Sequence, residues 1–210
     1  MLTDYQSAAY AARYRNLVDQ VRKVAFDGGY GEALPRAVAI NYAKLLAYKD
    51  EYEVARLFTD GKFAENLGKQ FEGNFKISFN LAPPILHSGV DALGRPRKRE
   101  FGAWMLPVFR TMAKFRFLRG TLFDPFSYSE DRKLECNLIK GYEQDVVTAV
   151  KLLSPKTLDI AVELLSLPDQ IRGYGPVKEA SIAKAKARYQ QLAKDLVNPP
   201  PMIAPQIAAE

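Results

Sequence analysis

Residues 164–181 constrain the fold most strongly, because they specify where one helix ends and where the next begins. Pro168 ends the first helix, and Gly173 and Gly175 permit a tight turn after it. Pro176 suits the first turn of the following helix. The segment therefore predicts a helix that ends before Pro168 and a second helix over about 176–197.

The turn between these helices carries three residues that local propensity does not require: Arg172, Tyr174 and Lys178. A turn that leads into a helix N-terminus favours anions, and the two cations could add charge-assisted hydrogen bonds to a phosphate. The alternative is a structural turn in which Arg172 caps backbone carbonyl groups. No strand precedes the turn, as a dinucleotide fingerprint would require. We take these three residues as candidate ligand-binding residues, with the structural turn left open.

Hydrophobic periodicity predicts helices over most of the chain. The first stripe has spacings of four and three and consists of Tyr10, Tyr14, Leu17, Val21 and Val24. A second helix is predicted to begin near Pro35 and to run to about Thr59. Ser154 followed by Pro155 predicts another helix start.

One segment departs from this helical pattern. Residues 74–81 alternate apolar and polar side chains, with Phe75, Ile77, Phe79 and Leu81 on one side, which predicts a half-buried strand. Residues 97–101 can pair back as the second strand of a hairpin. The predicted fold class is thus mainly α, a multi-helix domain with a small β-hairpin insert around residues 74–102. We expect a single helical domain over 1–197 and a proline-rich tail over 198–210.

Several kinds of chemistry are excluded by residue counts. The chain has one cysteine, Cys136, and one histidine, His87. A [4Fe-4S] cluster or a structural zinc site needs about four such ligands, so neither can be built from this chain alone. We predict no catalytic residue and no metal site, and His87 is expected to be a solvated loop residue. A single cysteine, the absence of a signal-like N-terminus and the absence of a long apolar run favour a cytoplasmic protein without a membrane segment.

The positive charge is concentrated in one place. The chain has a net charge of +6, and Arg97, Lys98 and Arg99 belong to its densest basic run. These are further candidate ligand-binding residues, because such a run favours acidic or phosphorylated partners. Aromatic residues follow the run, so single-stranded nucleic acid is an alternative, which we rank below acidic or phosphorylated partners. Basic residues that protect a hairpin edge are another.

A second polar cluster is predicted on the helix around residues 48–57. Lys49 and Glu53 are four residues apart, and Glu53 and Arg56 are three apart, so the three can form a ladder of ion pairs on one face. Tyr52 is expected beside Tyr48 on another face. We take Lys49, Glu53, Arg56 and Tyr52 as a candidate interface or polar network. The alternative is a solvated face.

Six blocks, in the same order, resemble a known family. The blocks are residues 48–57 (YKDEYEVARL), 79–84 (FNLAPP), 94–102 (GRPRKREFG), 104–107 (WMLP), 119–126 (RGTLFDPF) and 170–181 (QIRGYGPVKEAS). With these blocks the chain resembles, from residue 2 to about 196, the C-terminal domain of the long bacterial indolepyruvate ferredoxin oxidoreductases.

The resemblance implies the function of a parent enzyme rather than of this chain. The parent enzymes oxidatively decarboxylate aryl-pyruvates to acyl-coenzyme A with thiamine diphosphate and [4Fe-4S] clusters, and they pass electrons to ferredoxin. Their catalytic modules lie elsewhere, so the resemblance implies an accessory, non-catalytic domain without a cofactor of its own, which acts in assembly or docking. Its expected partners are the catalytic domains or subunits of that enzyme. Two alternatives follow from the resemblance: a domain that binds coenzyme A or another phosphate ligand, and a basic docking surface for ferredoxin.

Overall fold

The computed structural model describes residues 1–73, 76–82, 89, 97–173 and 175–201. It is mainly α-helical with a small two-stranded antiparallel sheet, which confirms the predicted fold class. Tyr174, His87 and the tail from residue 202 onward lie outside the described residues. So do residues 74–75, where the first strand is predicted to begin. The extent of the predicted domain, 1–197, stays a prediction.

The chain forms two compact units, each made of two stretches. Unit 1 comprises Met1–Ala12 and Ala47–Asn137, and unit 2 comprises Arg13–Leu46 and Leu138–Glu210. The division falls within two long helices, α2 (Ala8–Asp27) and α7 (Glu130–Lys151).

Unit 1 combines short helices with the hairpin. Besides the ends of α2 and α7, it contains α1 (Leu2–Tyr5), α4 (Glu51–Thr59), α5 (Lys62–Gln70), β1 (Ser78–Leu81), β2 (Arg99–Gly102), α6 (Met105–Lys114) and a 3-10 helix (Phe115–Leu118). The strands pair antiparallel, as expected of the predicted hairpin, and the structure places Phe79 opposite Phe101. The core of this part joins Phe79 to Ala55 of α4 and Phe109 of α6, because the apolar side of the hairpin needs cover from helices.

Unit 2 is helical in its described residues. It contains the larger parts of α2 and α7 together with α3 (Ala33–Leu46), α8 (Leu158–Ser166), a 3-10 helix (Leu167–Gln170) and α9 (Pro176–Val197). Helix α8 packs against both α3 and α9. The prediction of a last helix over 176–197 is confirmed. The prediction that a helix starts at Ser154 is wrong. Thr157 closes a turn there by accepting a hydrogen bond from the Ser154 amide at 2.8 Å, and α8 begins after this turn, at Leu158.

The core of unit 2 contains three stacked tyrosines. The ring of Tyr42 lies between those of Tyr14 and Tyr142, with centroid distances of 5.9 and 6.0 Å. The Tyr42 hydroxyl donates to the Glu143 carboxylate, which also accepts two hydrogen bonds from Arg13 at 2.7 and 2.8 Å. Burial opposes the charge of Glu143, but these donors outweigh it and hold the pKa of Glu143 below its usual value.

Candidate functional site

Unit 1 contains a network of four buried charged side chains, two acidic and two basic. Arg119 donates to Asp50 through Nε at 2.5 Å and through Nη2 at 2.9 Å. Arg132 lies 3.3 Å from Asp50 and 3.6 Å from Asp124, and it donates to Glu51 at 2.7 Å. Since each buried charge faces an opposite one, the network avoids the large cost of an isolated buried ion.

Asp50 is placed by the start of α4. Its carboxylate accepts a hydrogen bond from the Glu53 amide at 2.8 Å, so Asp50 is the N-cap of this helix. The prediction of one helix from Pro35 to Thr59 is therefore wrong. Helix α3 ends at Leu46, and the cap starts a new helix at Glu51.

Tyrosine rings line the network. The Arg119 guanidinium lies 3.9 Å from the ring centroid of Tyr5, and that of Arg132 lies 5.3 Å from Tyr48, both within cation–π range. The Tyr5 hydroxyl donates to the Tyr48 carbonyl at 2.9 Å, and Arg119 donates to the Tyr5 carbonyl at 2.7 Å. These contacts attach the N-terminal segment to the network.

The surroundings shift the pKa values of the tyrosines and of Arg119 in this network. Burial raises the pKa of Tyr48 to about 12 and raises that of Tyr5 further, so both stay neutral. Burial also opposes the charge of Arg119, but the hydrogen bonds and the charge of Asp50 outweigh it and raise the pKa of Arg119. No member of the tyrosine and arginine set is poised to exchange a proton near pH 7.

The network also fixes the loop that follows Arg119. Asp124, fully buried, accepts hydrogen bonds from the amides of Gly120 at 3.1 Å and Phe126 at 3.0 Å. Its third donor is the Tyr52 hydroxyl at 3.0 Å. Between these anchors the loop presents Leu122, 87% exposed, and Phe123, 82% exposed. We call residues 120–126 the anchored loop.

The arrangement is suited to positioning a loop. Within the described residues, Asn41 Oδ1 in unit 2 is the one fully buried side-chain oxygen or nitrogen that lacks a partner, so such atoms of the network are all partnered. Satisfied buried networks make one local conformation specific. What they hold here is a loop with two large apolar side chains in solvent.

A family model covers most of the chain. The model of DUF6537, a family of unknown function, matches residues 1–191. The chain belongs to this family. No curated protein and no solved structure matches it.

The residues of the polar cluster predicted around 48–57 lie in different surroundings in this DUF6537 domain. Arg56 and Glu53 form the expected pair through two hydrogen bonds of 2.8 and 2.7 Å. Lys49 is exposed and precedes α4, so it does not lie on the helix that carries Glu53 and Arg56. Tyr52 faces inward, where its ring packs edge-on against Phe126 with centroids 5.3 Å apart.

The basic run lies at the start of the second strand of the hairpin, which begins two residues later than the predicted 97–101. Arg97 and Lys98 directly precede β2, Arg99 is its first residue, and all three side chains are exposed. Residues 90–96, which include the start of this run, lie outside the described residues. The acidic or phosphorylated partner that the sequence favours for these cations stays a prediction.

The turn at residues 171–175 of the DUF6537 domain has Arg172 in a capping role. Its Nε donates to the Asp169 carbonyl at 3.0 Å, and Nη2 lies 3.3 Å from the Asp169 carboxylate. Lys44 reaches the same carboxylate at 3.3 Å, and its hydrogen bond lowers the pKa of Asp169. Lys178 is half-buried in the first turn of α9. Arg172 therefore caps the preceding 3-10 helix, as in the alternative of a structural turn.

Sequence patterns do not single out the buried network. Its charged members, Asp50, Arg119, Asp124 and Arg132, come from four separate places in the chain. One local signal exists: Asp50 followed by Glu53 has the spacing of a capping box. The block at 119–126 supplies two members, Arg119 and Asp124, but the sequence analysis selects neither as a candidate site residue.

Two general searches of the described residues give negative results. No group of three or more His, Cys, Asp or Glu side chains there is arranged to hold a metal ion. No helix in the same part of the DUF6537 domain has the length and apolar character needed to cross a membrane.

Proposed function

We propose that this DUF6537 domain is an accessory, non-catalytic domain of a thiamine-diphosphate and iron–sulfur dependent indolepyruvate (2-oxoacid):ferredoxin oxidoreductase, and that it acts in assembly or docking. The parent enzyme is proposed from the resemblance of the six sequence blocks. The docking role is supported by the anchored loop. Leu122 and Phe123 are almost fully exposed, although a buried charge network fixes the backbone on either side of them.

The anchored loop has the properties of a preorganised binding element. A loop that is already ordered loses little conformational entropy on binding, so more of its contact energy appears as affinity. A few side chains that enter well-packed, desolvated pockets contribute most of the affinity in many interfaces. A partner with an apolar pocket would bury both side chains.

Co-elution with the catalytic polypeptide of the parent enzyme tests the proposal. We expect the whole chain to form a stoichiometric complex in size-exclusion chromatography, and the chain alone to show no turnover of indolepyruvate. Phe123→Ser should weaken this complex at least tenfold. Phe26→Ser is the matched control, because Phe26 is 83% exposed and Phe123 is 82% exposed. Elution of the chain as a lone species, or turnover by the chain alone, would contradict the proposal.

A basic docking surface for ferredoxin is a second candidate, and the exposure of Arg97, Lys98 and Arg99 favours it. Adjacent exposed cations accelerate association with an acidic protein in a salt-dependent way. Charge reversal at these three positions should slow reduction of ferredoxin by the parent enzyme at low salt and should reduce the salt dependence of the rate. An unchanged salt dependence would exclude this role.

A further inference from the structure

Helix α6 carries apolar side chains on two faces. On the inner face, Phe109 is 3% exposed and belongs to the core with Ala55 and Phe79, and Met105 and Met112 pack beside it. This face accounts for the folding role of the helix. A surface helix ordinarily has polar residues opposite such a face.

The outer side of α6 has an exposed stripe instead. Trp104 directly precedes α6, Val108 and Thr111 lie on it, and Phe115 directly follows it; their intervals of four, three and four residues are those of one side of a helix. Trp104 is 62% exposed, Phe115 is 45% exposed and Val108 is 42% exposed. We call these four residues the outer stripe. Three of the four side chains are apolar, and exposed apolar side chains that lie side by side are a feature of interaction sites.

Positive charge borders the outer stripe. Arg110 and Lys114 are exposed and lie one turn apart on the same helix, on the side away from Phe109 and Met112. Over residues 97–118 the sequence contains six basic residues and one acidic residue, Glu100. A partner that covers the stripe therefore gains most if its rim is acidic.

We infer that the outer stripe is a docking face for a protein surface that has an apolar groove with an acidic rim. The inference rests on the proposed function, and it names the face and the chemistry of the partner. A second copy of the chain is a poor occupant, because pairing through this face would bring Arg110 and Lys114 of both copies together. Tryptophan is among the residues that most often dominate binding energy at interfaces.

Hydroxyl-radical footprinting of the whole chain measures the face directly. The probe is the catalytic polypeptide of the parent oxidoreductase, and the oxidation rates of individual side chains are compared with and without it. Trp104 is the one tryptophan of the chain, so its oxidation reports on the outer stripe without ambiguity. We expect at least threefold protection of Trp104 and Phe115 in the complex. Phe26, 83% exposed and located in unit 2, should keep its rate and serves as the internal reference.

Two matched variants test the energy of the contact. Phe115→Glu should raise the Kd of the complex at least tenfold, because it puts an anion opposite the acidic rim. Phe26→Glu makes the same chemical change at another exposed phenylalanine and should leave the Kd within twofold. Charge reversal at Arg110 and Lys114 should weaken the complex at low salt and make the Kd less dependent on salt. Far-UV circular dichroism establishes that each variant is folded.

The outcomes separate this inference from the proposed function. If the complex forms while Trp104 and Phe115 keep their free oxidation rates, the docking face is wrong and the proposed function stands. If no complex forms, both are wrong. Protection by vesicles of phosphatidylcholine and phosphatidylglycerol at seven to three, without protection by the polypeptide, would overturn the inference in favour of a membrane surface. Protection that grows with the concentration of the chain alone would overturn it in favour of self-association.

Discussion

Arg119 and Asp50 are joined by two parallel hydrogen bonds in unit 1, and neither side chain is more than 3% exposed. The pair links the segment before α4 to the start of the anchored loop, 69 residues further along the chain. A carboxylate and a guanidinium in this geometry recognise each other in only one orientation. The position of the loop therefore depends on a contact that the solvent does not reach.

The first prediction concerns the loss of one partner of this pair. Arg119→Leu should lower the free energy of unfolding by about 3–5 kcal/mol, because it leaves Asp50 buried with only part of its charge compensated. Urea unfolding followed by circular dichroism measures the change. Arg188→Leu is the control: Arg188 also makes two hydrogen bonds to a carboxylate, that of Glu163, but both side chains are nearly half exposed. The control should cost no more than about 1 kcal/mol.

A double variant measures the interaction between Asp50 and Arg119 separately from the contribution of each residue alone. Asp50→Asn keeps an N-cap side chain for α4 while it removes the charge. Combined with Arg119→Leu, it should cost less than the sum of the two single changes, because no unpaired charge remains between these positions. Strict additivity would show that the two side chains act independently.

The second prediction concerns the hydroxyl of Tyr52. Tyr52→Phe keeps the ring against Phe126 but removes a hydrogen bond to Asp124, and it should lower the free energy of unfolding by about 1.5–3 kcal/mol. Tyr128→Phe is the matched control, because the Tyr128 hydroxyl donates to the Leu122 carbonyl at 3.3 Å in an exposed position. It should change stability by about 0.5 kcal/mol or less.

Hydrogen exchange gives this prediction a local test. The amides of Gly120 and Phe126 both donate to Asp124, so they should exchange faster in Tyr52→Phe than in the native chain. If their exchange is unchanged while stability falls, the hydroxyl supports the core of unit 1 but not the anchored loop.

Local patterns predict those parts of the fold that neighbours in sequence decide. Proline and glycine specify the ends of the last helix, and alternation of apolar residues specifies the hairpin. The break between α3 and α4 is not predicted, because the apolar periodicity continues across it and the decisive contact is a single carboxylate, that of Asp50.

The candidate site is harder to predict from the sequence than the fold is. Asp50 and Arg119 are 69 residues apart, and Arg132 and Tyr48 are 84 apart, so no local pattern joins them. In a sequence, a charged residue in a turn is usually solvated, and burial becomes evident only when the chain is folded. The exposure of Leu122 and Phe123 is likewise not evident from the sequence, because a pair of large apolar residues is ordinarily expected to be buried.

The third prediction is that two carboxylates of α7 have opposite effects on stability as pH changes. Burial raises the pKa of Asp145, and the hydrogen bond from Tyr189 only partly offsets this. Its contribution to stability is therefore complete below the unfolded pKa of about 3.9 and is lost as pH rises through the folded pKa. Asp145→Asn, which can still accept from Tyr189, should stabilise the chain at pH 7 relative to the native protein and lose this advantage near pH 3.5.

Glu143, two residues earlier, should behave in the reverse manner. Because its folded pKa is lowered, its contribution is complete above the unfolded value of about 4.3 and is lost as pH falls through the folded pKa. Glu143→Gln should therefore cost roughly 1–2 kcal/mol at pH 7, and less in acid. The urea unfolding midpoints of both variants, measured between pH 3.5 and 7 and compared with the native chain, test this prediction. If the two differences from the native midpoint changed with pH in the same direction, the opposite roles of Asp145 and Glu143 would be contradicted.

The last prediction compares two glycines of unit 2. Gly173 has a φ of +95°, and a Cβ there would lie 2.5 Å from Val177 Cγ1 and 2.9 Å from Val177 Cβ. Gly173→Ala should cost about 1–3 kcal/mol, because it combines backbone strain with a clash against the first turn of α9. Gly141 lies inside α7 with no atom within 4 Å of such a Cβ, and Gly141→Ala should stabilise the chain by about 0.5–1 kcal/mol.

The difference in stability between Gly173→Ala and Gly141→Ala decides whether the turn before α9 is rigid. The Ser181 hydroxyl donates to the Arg172 carbonyl at 2.9 Å, so the turn is also attached to the second turn of α9. If thermal unfolding shows that Gly173→Ala is tolerated as well as Gly141→Ala, the turn can change its backbone conformation at little cost. Arg172 would then be able to leave Asp169, and its capping role would not be fixed by the fold.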